Sequence, residues 1–298
     1  MKRMRATSSP QSRLRSKETR DAAWWRAQSS SAVIGIERAS QRRYGKASRR
    51  ISARVRVTTL ASIRAMQQVV DRSASTSVTA ADIGAMARQV FRDGPAFTRF
   101  LQHHRHRIAP IERLIALVPP RCDILDVGCG GGLLVACLTI CGRVRRAHGV
   151  DSSSAAIANA QAAAKRLASM VPDAELLFEC RDVEAGLPDG EFDVVALIDV
   201  LHHVPPTAQK QAFLQAMTRV RRGGMFLYKD MCDAPWWRAG LNRMHDLALA
   251  QQWIHYVPIE AADQWATEAG FRIECAQSHT RLWYGHELRV YRRPLHDA

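Results

Sequence analysis

From residue 122 onward the chain changes its hydrophobic period repeatedly. Short apolar runs stand at 123–128, about 144–150, 175–180, 192–198 and Met225 to Tyr228, each of strand length. Between them apolar residues recur every three or four positions, as in Leu134, Cys137, Leu138 and Cys141, and predict helices over 131–141, 154–169 and about 206–220. Gly223-Gly224 reads as the turn into the fifth strand. A further helix is expected over 260–269, capped by Gly270, followed by a closing antiparallel pair at 271–277 and 286–292. Strands without a polar face, alternating with helices, predict a mostly parallel sheet covered on both sides. Ahead of it, 80–93 reads as a helix closed by Asp93-Gly94-Pro95, and Pro95 to Val118 as one longer helix ended by Pro119-Pro120.

Residues 1–75 show no such pattern. They are rich in Arg and Ser, and Arg42-Arg43 and Arg49-Arg50 interrupt any apolar face. Such a segment cannot bury enough surface to offset its ordering entropy, so a mostly disordered extension is expected, apart from a short helix near Leu60 to Val70. Residues 76–298 are expected to form the folded domain.

Charge sharpens this division. The net charge is +15, but 1–75 holds 18 Lys and Arg against four acids, leaving 25 against 24 for the rest of the chain. The basic character belongs to the extension, and the near-neutral domain does not read as a nucleic-acid enzyme. Three readings of the extension stay open: a non-essential addition with Met66 or Met86 as the functional start, an organelle transit peptide, or an arm for RNA or anionic membrane. The seven cysteines include no Cys-x-x-Cys pair, which predicts free thiols in a reducing compartment. With no apolar run of membrane-spanning length, a soluble, cytoplasmic protein is expected, organelle targeting through the N-terminus being the alternative.

The candidate chemistry lies at the strand ends. The first strand ends in Asp126, followed by Gly128, Cys129, Gly130 and Gly132 and then a helix. Glycines let a ligand approach the backbone, and a helix start offers free N–H groups. Asp151, followed by Ser152, ends the second strand, where an acid can accept both hydroxyls of a ribose. Asp182 and Val183 follow the third, where adenine would lie, and Asp199 ends the fourth. In an open α/β sheet the ligand lies beyond these carboxyl ends, and four of them in register are hard to obtain by chance.

At these residues the chain resembles class I S-adenosylmethionine-dependent methyltransferases, particularly the small-molecule branch that includes quinone-biosynthesis enzymes. The resemblance spans about residues 95–292. It rests on Asp126-x-Gly128-x-Gly130-x-Gly132, Gly149-Val150-Asp151, Arg181-Asp182 and the segment Phe192 to Pro205. It implies a doubly wound, seven-stranded Rossmann-like fold and S-adenosyl-L-methionine as cofactor. The glycines would admit methionine and ribose, Asp126 would orient that loop, Asp151 would take the ribose, and Asp182 with Val183 the adenine.

A proton acceptor is needed only if the methyl acceptor arrives protonated. His203, His202 and His245 are the candidates, with His255 further on. The stretch 235–258, with Trp236, Trp237, Trp253 and Tyr256, falls where this family usually builds its substrate cover and suits an aromatic or hydrophobic acceptor. His103, His104 and His106 are badly spaced for a metal, and no metal-binding acid trio is evident. No Asn/Asp-Pro-Pro-Tyr motif follows the fourth strand, which disfavours methylation of exocyclic base nitrogens. The expected activity is methyl transfer to oxygen or carbon of a small molecule. An RNA or protein methyltransferase using the basic arm, and a non-catalytic cofactor-binding partner protein, are the alternatives. Oligomeric state and peripheral membrane contact stay open.

Overall fold

The computed structural model describes residues 78–232, 254–281 and 284–296, all within the compact unit Ile63–Ala298. The expected extension and most of the expected cover, including His245, Trp236 and Trp237, lie outside the described residues.

The alternation of periods becomes a seven-stranded sheet. Its strands are β1 (Cys122–Val127), β2 (Val144–Asp151), β3 (Glu175–Cys180), β4 (Phe192–Ile198), β5 (Val220–Met231), β6 (Arg272–Arg281) and β7 (Tyr284–Arg292), in the order β3-β2-β1-β4-β5-β7-β6. The first five run parallel, and β7 pairs antiparallel with both β5 and β6. The strand order reverses at β1 and β4, which both run beside each other and open a crevice at their carboxyl ends.

Helices cover both faces. On one face Ile124, Ala147, Val194, Ala196, Leu227 and Val290 pack against α1 (Ala80–Val90), α3 (Ile111–Leu117), α4 (Leu133–Ile140) and α5 (Ser154–Met170). On the other, Leu125, Val195, Phe226, Tyr228 and Tyr291 pack against α6 (Pro206–Thr218) and α7 (Ile259–Glu268). The ring of Phe213 from α6 lies edge-on to Phe226 at 5.1 Å and to Tyr228 at 5.4 Å, a favoured geometry for aromatic quadrupoles.

Two expectations are corrected. The single helix over 95–118 is two, α2 (Ala96–His104) and α3, joined by a 3-10 turn at Arg105–Arg107. Pro110 at the start of α3 has no N–H to continue a ladder, so the break falls there. Strand β5 is longer than foreseen, because Gly223-Gly224 lies inside it: Gly223 takes a φ of 72° and the pairing with β4 shifts register before Val194.

Candidate functional site

The glycine loop after β1 is built by its own backbone. Gly128, Gly130 and Gly132 all take positive φ, 71°, 53° and 80°, a region other residues enter only with strain. The amides of Gly128 and Cys129 both donate to the carbonyl of Val150 at 2.8 and 3.0 Å, which ties the loop to the end of β2. A side chain on Gly128 would run into Val200, whereas one on Gly130 would meet nothing within 4 Å. Gly130 therefore faces open space, a cradle that a side chain would fill.

Around that cradle the acids divide in role. Asp151 stitches the loop together: one carboxylate oxygen accepts from Gly130 N at 2.8 Å and the other from Ser153 N at 2.9 Å. Ser153 caps α5, its hydroxyl accepting from Ala156 N. Asp126 is only 2% exposed, and among the described residues no hydrogen bond reaches its carboxylate. Burial, together with the neighbouring Asp151, pushes its carboxyl up to about 7. Cys129 is buried beside it, its thiol raised well above the ordinary value by burial and then by Asp126 and Asp151. Asp182 is exposed at the end of β3, and Val183 opens a short 3-10 turn behind it.

These residues fit the implied cofactor. A lone buried carboxyl without a donor suits an ammonium group, an acid on an adjacent strand can accept from vicinal hydroxyls, and the open side of Gly130 leaves room for the chain between them.

The ends of β4 and β5 are arranged differently. Asp199 takes a φ of 57°, unusual for a non-glycine, and its carboxylate is ion-paired with buried Lys229 and, at 3.4 Å, with Arg105. Burial alone would raise its carboxyl, but Lys229 and Arg105 hold it well below the usual carboxylate range. His202 Nδ1 is bonded to Asp230 Oδ1, with both side chains 2–3% exposed. The same oxygen accepts from Met231 N at 2.8 Å. His203 packs beside it with part of the residue at the surface, ring centroids 4.1 Å apart, and partial desolvation and then His202 hold its imidazole down to about 4. His255 is exposed, and its backbone N–H donates to the carbonyl of His202 at 2.9 Å, so the segment entering α7 closes over this turn.

Asp199, His202 and Asp230 each offer one ligand atom, all within 4.8 Å of one another. No such trio was evident along the chain, because Asp230 joins it from β5. Its charge is already met by Lys229 and Arg105. His103, His104 and His106 do not converge: the first two bond the carbonyls of Phe91 and Phe100, and the third lies over Gly84.

Lys229, Asp230 and Arg105 escaped sequence reasoning. One signal was present, a charged Lys-Asp pair at the end of the apolar run Met225 to Tyr228, where a buried strand has no use for charge unless something pairs with it.

A family model described as a methyltransferase domain matches residues 87–276. Ubiquinone biosynthesis O-methyltransferase of Alkalilimnicola ehrlichii is 32% identical over 158 residues, covering 49% of this chain and 59% of that protein. The mitochondrial ubiquinone biosynthesis O-methyltransferase of Saccharomyces cerevisiae is 28% identical over 108 residues, 36% of this chain and 33% of that one. The chain thus spans a third to three-fifths of the length of these curated relatives. Among solved structures, magnesium protoporphyrin IX methyltransferase from Synechocystis with bound SAH aligns with a TM-score of 0.52 at 18% identity, over 76% of this chain and 99% of that one. An O-methyltransferase family 2 protein from Planctomyces limnophilus in complex with apigenin gives a TM-score of 0.52 at 18% identity, over 66% and 60%. Both likenesses concern the fold.

Proposed function

The chain belongs to the methyltransferase-domain family, and we propose that it transfers a methyl group from S-adenosylmethionine to oxygen or carbon of a small aromatic or hydrophobic acceptor. The observation that carries this reading is the left-handed glycine loop, open at Gly130 and flanked by the unbonded carboxyl of Asp126 and by Asp151.

When bound, the sulfonium supplies an activated methyl group, so the protein has to align, shield and, for a hydroxyl acceptor, accept a proton. Asp126 holds the amino end, where a nearby ammonium would favour its charged form. Asp151 accepts from the ribose hydroxyls with the lone pairs its loop contacts leave over. Asp182 and Val183 border the adenine. Asp199 and Lys229 keep the floor between the two halves polar and fixed. His203, neutral at pH 7 and exposed at the end of β4, takes the acceptor's proton on a ring nitrogen. His202, clamped by Asp230, holds the turn that carries it. Most of 235–258, with His245, and all of 1–75 lie outside the described residues, and transfer is expected to survive deletion of 1–75. Free cysteines among the described residues agree with a reducing, cytoplasmic location, and no described helix is long and apolar enough to cross a membrane.

The test is incubation of the full chain with methyl-labelled S-adenosylmethionine and a metabolite extract, followed by mass spectrometry. Label on a small molecule, retained after deletion of 1–75, is expected. Failure of the chain to bind the donor in calorimetry would overturn the reading. Label appearing on RNA or protein, lost with the extension, would move the substrate to a macromolecule.

A further inference from the structure

A second concavity lies at the same edge of the sheet but on the far side from the glycine loop. It has a volume of about 330 Å³ and is bounded by the ends of β5 and β6, the start of β7 and the residues entering α7. Tyr228 and Asp230 stand two apart on β5, so their side chains share the face that Val257 and α7 cover.

Both carry a buried polar atom without a partner. The Tyr228 hydroxyl and Asp230 Oδ2 make no hydrogen bond, although the residues are 1% and 2% exposed. A buried polar atom left unpaired is costly and rare, and two on residues that line one cavity point to a group that completes them. Asp230 Oδ1 is already taken by His202 and Met231 N, so the free oxygen is the one left for a ligand.

The charge of the walls indicates what that group is. Asp230, Glu260 and Glu287 line the cavity, and no described Lys or Arg does. Glu287 is held by Ser278 at 2.8 Å and Arg289 at 3.0 Å, and neither Asp230 Oδ2 nor Glu260 meets a cation among the described lining residues. Of the lining histidines, His286 is neutral at pH 7, its imidazole pushed down to about 3 by burial and then by Lys229. His279 is likewise shifted down, by burial and then by Arg113 and Arg281. Val257, Ile259 and Met231 add an apolar side to a wall that also carries Ser278 and Thr280.

We infer that this cavity seats an ammonium group borne on an apolar, ring-sized body, with Asp230 Oδ2 and the Tyr228 hydroxyl accepting its N–H bonds. A carboxylate or phosphate would meet like charge here, and a neutral hydroxyl would leave the acidic wall uncompensated. Only in calling this ammonium part of the methyl acceptor does the inference rest on the transferase reading.

The probe is benzylammonium, compared with its neutral isostere benzyl alcohol and with benzoate, by calorimetry on the full chain. S-adenosylhomocysteine is present in excess, so that an ammonium site beside Asp126 is already filled. Benzylammonium is expected to bind at least about tenfold tighter than the alcohol, with no binding of benzoate. Asp230→Asn should remove that preference. Glu260→Gln, on the exposed rim, should weaken the ammonium a few-fold and leave the alcohol unchanged, which keeps the test decisive if the Asp230 variant misfolds. Equal affinity for ammonium and alcohol, or no binding of benzylammonium at millimolar concentration by the folded protein, would overturn the inference. A chain that binds benzylammonium but neither S-adenosylmethionine nor its product would keep this site and sink the transferase reading.

Discussion

The two halves of the carboxyl edge treat charge in opposite ways. At β1 and β2, Asp126 is buried without a donor and Gly130 faces empty space. At β4 and β5, every acid meets a cation or an imidazole from the chain itself: Asp199 meets Lys229 and Arg105, and Asp230 meets His202. The first half is left incomplete for a ligand to finish. The second is finished by folding, apart from Asp230 Oδ2 and the Tyr228 hydroxyl. Removal of a charge should therefore have opposite signs in the two places.

The largest effect is expected on the finished side. His202→Ala leaves the Asp230 carboxylate buried without its imidazole and should cost about 3–5 kcal/mol of stability, read by denaturant unfolding. A change under about 1 kcal/mol would show that the pair is not the clamp described.

Asp126→Asn tests the opposite sign. The folded carboxyl is raised from an ordinary 3.8 to about 7, so the folded state holds its proton longer than the unfolded chain does. The stability tied to this group is present below about pH 4 and is lost as pH rises through about 7. The variant escapes that loss. Without ligand it should exceed the parent by roughly 2–4 kcal/mol at pH 8 and show no advantage at pH 4, while binding the donor more weakly. Equal unfolding curves at both pH values would contradict the unpaired state of Asp126.

Gly128→Ala should cost about 2–3 kcal/mol, because a methyl group there meets Val200 at a φ of 71°. Adding Val200→Ala should recover part of this, leaving the backbone strain. Smallest in expected range is Asp151→Ala, which should weaken donor binding by roughly 1–3 kcal/mol in calorimetry. An unchanged affinity would remove Asp151 from the ribose site.

The contrast also explains what could be read from the chain. The β1 and β2 side is local: Asp126 and its glycines are neighbours in sequence, and Asp151 ends the next strand, so spacing alone exposed them. Strand and helix positions were legible for the same reason, since each apolar run lies within one element and needs no distant partner to be seen. The β4 and β5 side is assembled across the fold. Arg105 lies 94 residues from Asp199, and Asp230 lies 28 from His202. Nothing in the period of a strand reports such partners. The break at Pro110 was missed because an amphipathic pattern continues across a proline that the backbone cannot follow.

Helix α2 (Ala96–His104) buries none of its residues, and Phe97 and Phe100 are each 57% exposed. Yet its Gln102 amide fills the place where a methyl group on Gly131 would sit, over the glycine loop. An element with so little of its own surface invested costs little to lift, while α4 is buried along its whole length. Whatever occupies the loop would then find one wall that can give way at little cost and one that cannot.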